Sequence, residues 1–204
     1  MSVIINGDSV ITSPLSVGFG GGNLTSNVAV GITALNANTT GASNTAVGSN
    51  ALRDSTIGTN NVALGASALL QNTTGGSNVG VGVSALRLNT VGQLNTAVGT
   101  QSLYNNTASS NSALGYQALY TNTTGTPNDA FGYQALYNNT TGYQNVAVGY
   151  QALAANTIGW YNTAVGSSAL SVNTTGIYNT AVGRSSLSSN VVGQNNTALG
   201  HARS

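Results

Sequence analysis

Asn44-Thr45-Ala46-Val47-Gly48-Ser49-Asn50-Ala51-Leu52-Arg53-Asp54-Ser55-Thr56-Ile57-Gly58-Thr59-Asn60 is one unit of a repeat that fills most of the chain. Its opening N-T-A-V-G returns at 95–99, 162–166 and 179–183. The closing glycine of that pentad recurs at Gly31, Gly48, Gly65, Gly82, Gly99, Gly115, Gly132, Gly149, Gly166, Gly183 and Gly200, and nine of those ten intervals are 17 residues. The interval from Gly99 to Gly115 is 16, and there Asn106-Thr107-Ala108-Ser109 replaces the usual N-T-T-G. Four residues before every anchor glycine stands Asn, as at Asn44, Asn61, Asn78, Asn95 and Asn145, and four after each anchor but Gly200 stands Leu, as at Leu52, Leu103 and Leu153. A repeat of this length held in register means a stacked architecture rather than a globule.

The unit is a poor helix. It carries two glycines and several Asn and Thr, all unfavourable in helix interiors. T-A-V instead reads as a short strand of period two, with the Val column (Val47, Val98, Val148) on one face and the Ala column (Ala46, Ala97, Ala147, Ala164) on the other. The fold class expected is all-β: a parallel β-solenoid with one 17-residue coil per unit. Val47, Val98 and Val148 are expected to share the interior with Leu52, Leu103 and Leu153. The asparagines are expected to form a ladder that satisfies its own amides. Glycine in N-T-T-G is available for φ > 0 at a turn. The Ala column, small at all its positions, is expected to let a second copy approach; the alternative is that it fills a thin interior.

Composition removes most chemistry. Charged residues are 3% of the chain: four arginines, Asp8, Asp54 and Asp129, against about 25% in ordinary domains. That cannot build a nucleic-acid footprint. With no cysteine and one histidine, His201, no metal, cofactor or catalytic set is legible, and no enzyme is expected. No run approaches the ~18 apolar residues of a membrane span, and the first ten residues lack the flanks of an export signal.

The columns Asn44-x-Ala46-Val47-Gly48-x-x-Ala51 resemble the head repeats of YadA-type trimeric autotransporter adhesins. The longer N-T-T-G-x-x-N-T-A-V-G-x-x-A-L form is similar to repeats of bacteriophage tail fibres and related appendages. The resemblance spans residues 27–200. It implies a left-handed β-roll, three chains packed side by side as a homotrimer, the Val47 and Leu52 columns in each roll's core, and Ala46, Ala97, Ala147 and Ala164 near the contacts between chains. The 17-residue unit is longer than the adhesin head repeat, and no coiled-coil stalk is present.

Around the roll, residues 1–26 read as an attachment or capping segment: a hairpin about Asn6-Gly7-Asp8, then a glycine joint at Gly18, Gly20, Gly21 and Gly22. Residues 201–204 are a short tail. Tyrosines gather in the second half. Tyr116, Tyr133 and Tyr150 share one column, Tyr104, Tyr120 and Tyr137 another, and Trp160 lies close by. These are candidate contacts to a host-surface polysaccharide, or rungs that stiffen the rod. The function expected is a structural fibre of a bacteriophage-like particle, assembled in the host cytoplasm and joined to the virion or tail body through residues 1–26. The alternative is a bacterial cell-surface adhesin or a self-stacking extracellular filament subunit.

Overall fold

A computed structural model describes residues 4–5, 9–10 and 17–201. Strands β1 (Ile4–Ile5) and β2 (Ser9–Val10) pair antiparallel in a sheet of their own. Strand β3 (Val17–Gly18) and a 3-10 turn at Gly21–Asn23 lead into the coils. One short strand per coil follows: β4 Val28–Val30, β5 Thr45–Val47, β6 Val62–Leu64, β7 Val79–Val81, β8 Thr96–Val98, β9 Ser112–Leu114, β10 Asn128–Phe131, β11 Asn145–Val148, β12 Thr163–Val165, β13 Thr180–Val182 and β14 Thr197–Leu199. From β4 to β14 every strand pairs parallel with the next in chain order, Ala46 against Ala63 and Ala147 against Ala164. The protein is a parallel β-solenoid with 17-residue coils. At about 4.8 Å per coil the rod is on the order of 50 Å long.

The interior corrects the facing of the T-A-V strand. Val47 is 36% exposed, and Val98 and Val148 are half-buried, so this column looks outward. Ala46, Ala97, Ala147 and Ala164 are fully buried inside a single chain and are not available to another copy. Leu52, Leu103 and Leu153 are fully buried beside them. The reason is volume. A Cβ built on Gly80, the one glycine in the Ala column, would lie 3.3 Å from Leu69 Cγ, so alanine and leucine already touch across the coil. Interiors are packed to crystal density, and no room remains for a valine in place of the alanine.

Each leucine of this column sits at φ near +50°, as at Leu52 (φ 50°) and Leu153 (φ 52°). That left-handed backbone turns the side chain inward and costs about 1–2 kcal/mol. Burial of the side chain and a bond to the next coil, Leu52 N–H to Ala68 O at 3.0 Å, offset it.

The 16-residue coil loses the residue after Thr107, and Ala108 takes the place of the turn glycine, its carbonyl accepting from Asn95 at 2.8 Å. The columns do not shift: Val98 still faces Leu114, and Leu103 N–H still bonds Ala118 O. The first coil is closed by β3, antiparallel to β4. Gly20, Gly21 and Gly22 are held against that coil. Gly21 N–H bonds Leu35 O at 2.8 Å, and a Cβ on Gly20 would stand 2.7 Å from Leu35 Cβ. These three glycines pack against the backbone of the first coil.

Candidate functional site

Two asparagine ladders run the length of the rod. In the first, which contains Asn44, Asn61, Asn78, Asn95 and Asn145, each side-chain oxygen accepts the backbone N–H of the next asparagine. Asn61 N–H to Asn44 Oδ1 and Asn78 N–H to Asn61 Oδ1 are both 3.0 Å. The side-chain amides of these five also donate to a turn carbonyl, Asn61 Nδ2 to Gly75 O at 2.9 Å and Asn145 Nδ2 to Gly159 O at 2.8 Å, with Ala108 O in the glycine's place for Asn95. A second ladder, through Asn72, Asn89, Asn122, Asn139, Asn156 and Asn173, lies in the N-T-T-G corner and donates to the same glycine carbonyls, as Asn72 Nδ2 does to Gly75 O at 2.8 Å. These asparagines are buried. A buried amide without partners costs roughly 1–3 kcal/mol, so the ladders are what allow so polar a chain to have an interior. The corner glycines (Gly58, Gly75) do not adopt φ > 0; they are glycine for space, since a Cβ on Gly58 would lie 2.5 Å from Gly75 O.

The second ladder is broken once, at Ser55, between Asn38 and Asn72. Among the described residues the buried side-chain atoms left without a partner are Asn38 Oδ1 and Ser55 Oγ, both at this break. Ser55→Asn supplies the missing amide to Asn38 Oδ1. It is expected to raise the unfolding free energy by about 1–2 kcal/mol in urea titrations. A loss of stability instead would mean that the gap beside Gly58 is too small for the ladder to continue.

The outside carries the remaining features. Tyr116, Tyr133 and Tyr150 stack at 5.3 and 5.2 Å between ring centroids, and Tyr104, Tyr120 and Tyr137 stack at 5.1 and 5.3 Å. Gln117, Gln134 and Gln151 form an amide ladder beside the first set, linked at 2.8–3.0 Å and starting on Gln101. Arg87 closes the lower end of the second set, donating to the Tyr104 hydroxyl at 2.5 Å with its guanidinium 5.7 Å from the ring centroid. Burial, and then the neighbouring phenols Tyr104, Tyr137 and Tyr116, push Tyr120 above its ordinary pKa. Trp160 stands apart from both columns, with Tyr143, Tyr161 and Tyr178. These three tyrosines lie outside the two columns that the sequence marks as candidate contacts.

Little else is reactive. Arg53 pairs with its neighbour Asp54 at 2.7 Å, a hydrogen bond that raises the arginine's pKa. Among the described residues no group of three or more metal-ligating side chains gathers. The depression where Gly20 and Gly21 meet the first coil, lined by Phe19, Asn23, Thr33 and Asn36, holds no titratable side chain. No helix among the described residues is long and apolar enough to cross a membrane.

The outer sheet face sets an apolar column beside a mixed one, in which Thr45, Thr96, Ser112, Asp129, Thr163, Thr180 and Thr197 stand among valines. Leu64 (38%), Leu114 (50%) and Phe131 (38%) continue the Val47 column in the open, beside the half-buried Val62, Val79 and Val146 of the neighbouring column. The chain matches no family model, no curated protein and no solved structure.

Proposed function

We propose that this chain is the rigid rod of an extended surface appendage, a cell-surface adhesin or extracellular filament subunit of the kind its YadA-like repeats resemble, giving reach and surface contact. The observation that carries the reading is the unbroken register from β4 to β14 with its polar groups satisfied by internal ladders. Such a coil is a length-setting module: more copies make a longer rod, and nothing in the interior depends on a ligand. The particle-borne form of the same role, a fibre joined to a virion through residues 1–26, is the second reading. The separate β1–β2 sheet, outside the solenoid's own sheet, favours it. Cryo-EM of the native assembly separates the two: rods on a cell surface or in filaments support the first, and rods radiating from a particle through residues 1–26 select the second. Native chains found free of any assembly would overturn both.

The rods are proposed to pack side by side as a homotrimer through the outer sheet face, not through the buried alanines. That face is a strip about 50 Å by about 10 Å. Its apolar half, the Val47 column, runs unbroken from Val30 to Leu199, and a contiguous exposed apolar stripe marks an interaction site. Closed symmetry is the usual way to cover such a self-facing strip. Leu64→Glu combined with Phe131→Glu is expected to drop the mass in multi-angle light scattering to that of one chain while far-UV circular dichroism is kept. A monomeric mass for the unmodified protein at micromolar concentration would remove the trimer.

A further inference from the structure

The tyrosines and the tryptophan of the second half fall into three sets, and they differ in how their rings are arranged. In the columns Tyr104–Tyr120–Tyr137 and Tyr116–Tyr133–Tyr150 each ring lies nearly parallel to the next, at interplanar angles of 7–24°. Coil-to-coil stacking covers the faces and leaves the edges and hydroxyls outward. A pyranose is held by laying its polarised C–H groups on the electron-rich face of an aromatic ring. The middle rings Tyr120 and Tyr133 have both faces taken, whereas each ring of a two-ring stack has one, so the two columns serve as stiffeners.

The third set is built differently. Tyr143 stacks on Trp160 (5.4 Å, 4°) and Tyr161 stacks on Tyr178 (5.2 Å, 7°), but the two pairs cross. Trp160 meets Tyr161 at 70° and Tyr178 at 75°, and Tyr143 meets Tyr161 at 73°. Two ring stacks thus form a nearly right-angled corner on the side of the rod. Tyr143, Tyr161 and Tyr178 are 37%, 42% and 47% exposed. The corner is rigid, because backbone bonds join its coils: Tyr161 N–H to Tyr143 O at 3.1 Å, Tyr178 N–H to Trp160 O at 3.2 Å and Asn195 N–H to Ile177 O at 3.1 Å. Amides border it along the rod, with Gln144 one coil before Tyr161, Asn195 one coil after Tyr178 and Gln194 one coil after Ile177. No charged residue occurs in either of these two columns in any coil.

We infer that this corner, Tyr143, Trp160, Tyr161 and Tyr178, is a binding site for a neutral, pyranose-based glycan. One wall stacks on a sugar ring, while the phenol hydroxyls and the bordering amides bond its hydroxyls. The charge balance decides the class: with no cation in these columns, a uronic or sialic acid finds no partner for its carboxylate. Rigidity serves affinity, since few rotamers are lost on binding. The inference rests on the surface-contact role proposed above and names the chemistry that contact uses.

Trp160 is the only tryptophan in the chain, so its fluorescence reports the corner directly. The test titrates the full chain with neutral hexasaccharides of glucose, galactose and mannose, and with hyaluronan and alginate oligomers as acidic counterparts. A saturable change with at least one neutral sugar is expected. Tyr178→Ala and Tyr143→Leu are each expected to weaken it about tenfold or more, the loss of one stacking contact. Tyr133→Ala, in a stacked column, is expected to leave the affinity within about twofold, with circular dichroism verifying the fold of each variant. No saturable response to any neutral sugar, a preference for the acidic oligomers, or an equal loss in Tyr133→Ala would overturn the assignment. An appendage seen by cryo-EM together with a silent Trp160 would sink the glycan corner alone. A glycan response in a protein that forms no appendage would sink the rod reading alone.

Discussion

Gly149→Ala is expected to cost about 3 kcal/mol or more of unfolding free energy, a large effect for the addition of one methyl group. Gly149 sits at φ +135°, where an L side chain is strained. Its added Cβ would stand 2.6 Å from both the carbonyl carbon and the oxygen of Gly166, the anchor of the next coil. Those atoms are backbone, locked in the sheet on both sides, so they have no rotamer with which to yield. The backbone strain contributes about 1–2 kcal/mol, and the steric overlap supplies the rest. Because each coil touches only its neighbours, the damage is local, and it is expected to divide the rod into two segments that unfold separately. Gly76→Ala is the control: Gly76 has no positive φ, and the nearest atom to its Cβ would be Thr59 O at 3.2 Å, so a change below about 1 kcal/mol is expected. Urea titrations followed by far-UV circular dichroism check both. A Gly149→Ala chain as stable as its parent would mean that adjacent coils are not in direct backbone contact at the anchors.

The same atoms show what could be read from the sequence and what could not. Register was legible because identity survives stacking. Asn61 above Asn44 and Leu69 above Leu52 recur at a fixed interval, and a one-residue slip would break every ladder at once. Facing was not legible from alternation, since a period of two defines two faces without saying which is inside. Size carries that information. The Ala46 column admits only alanine and glycine, whereas the Val47 column runs from valine to Phe131. Interiors resist volume change and surfaces do not, so constancy of size marks the packed side and freedom of size the open one. The second asparagine ladder was hidden because N-T-T-G has the composition of a solvated turn. Their bonds to Gly75 and Gly159 lie within one coil, and only the bond to the neighbouring coil, as from Asn156 Nδ2 to Asn139 Oδ1, makes them a ladder. Leucine at φ near +50° has no sequence signal, because leucine does not favour that region and is held there by its own burial. The tyrosine clustering was visible, but the crossing of Trp160 on Tyr178 follows from two adjacent columns filling in consecutive coils, and spacing along the chain does not show the angle.

Asn162→Ala is expected to cost about 3 kcal/mol, and Asn162→Asp to make stability depend on pH in a chain otherwise nearly indifferent to it. Asn162 Nδ2 donates to Asn145 Oδ1 at 3.2 Å and to Gly176 O at 2.8 Å, and its Oδ1 accepts the backbone N–H of Asn179 at 3.0 Å. Alanine leaves that N–H buried with no partner, which costs about 1–3 kcal/mol, and it also opens a void. Aspartate keeps the acceptor for Asn179, but its second oxygen points at two other oxygens, Asn145 Oδ1 and Gly176 O, with no donor between them. Burial and those oxygens both disfavour the carboxylate, so its folded pKa lies above the unfolded value of about 3.9. The folded state then holds the proton to higher pH than the unfolded chain does, and stability falls as pH rises. At pH ~4 and below, the protonated acid can donate where the amide did, and the variant is expected to lie close to the parent. By pH ~7 it is expected to be less stable than Asn162→Ala. The background is unusually clean, since the chain carries only three aspartates, one histidine and no glutamate. Urea titrations at pH values between about 4 and 7 read the slope directly. A flat profile for Asn162→Asp, parallel to the parent, would show that the ladder reaches water and that the rod's interior is not the dry asparagine stack described above.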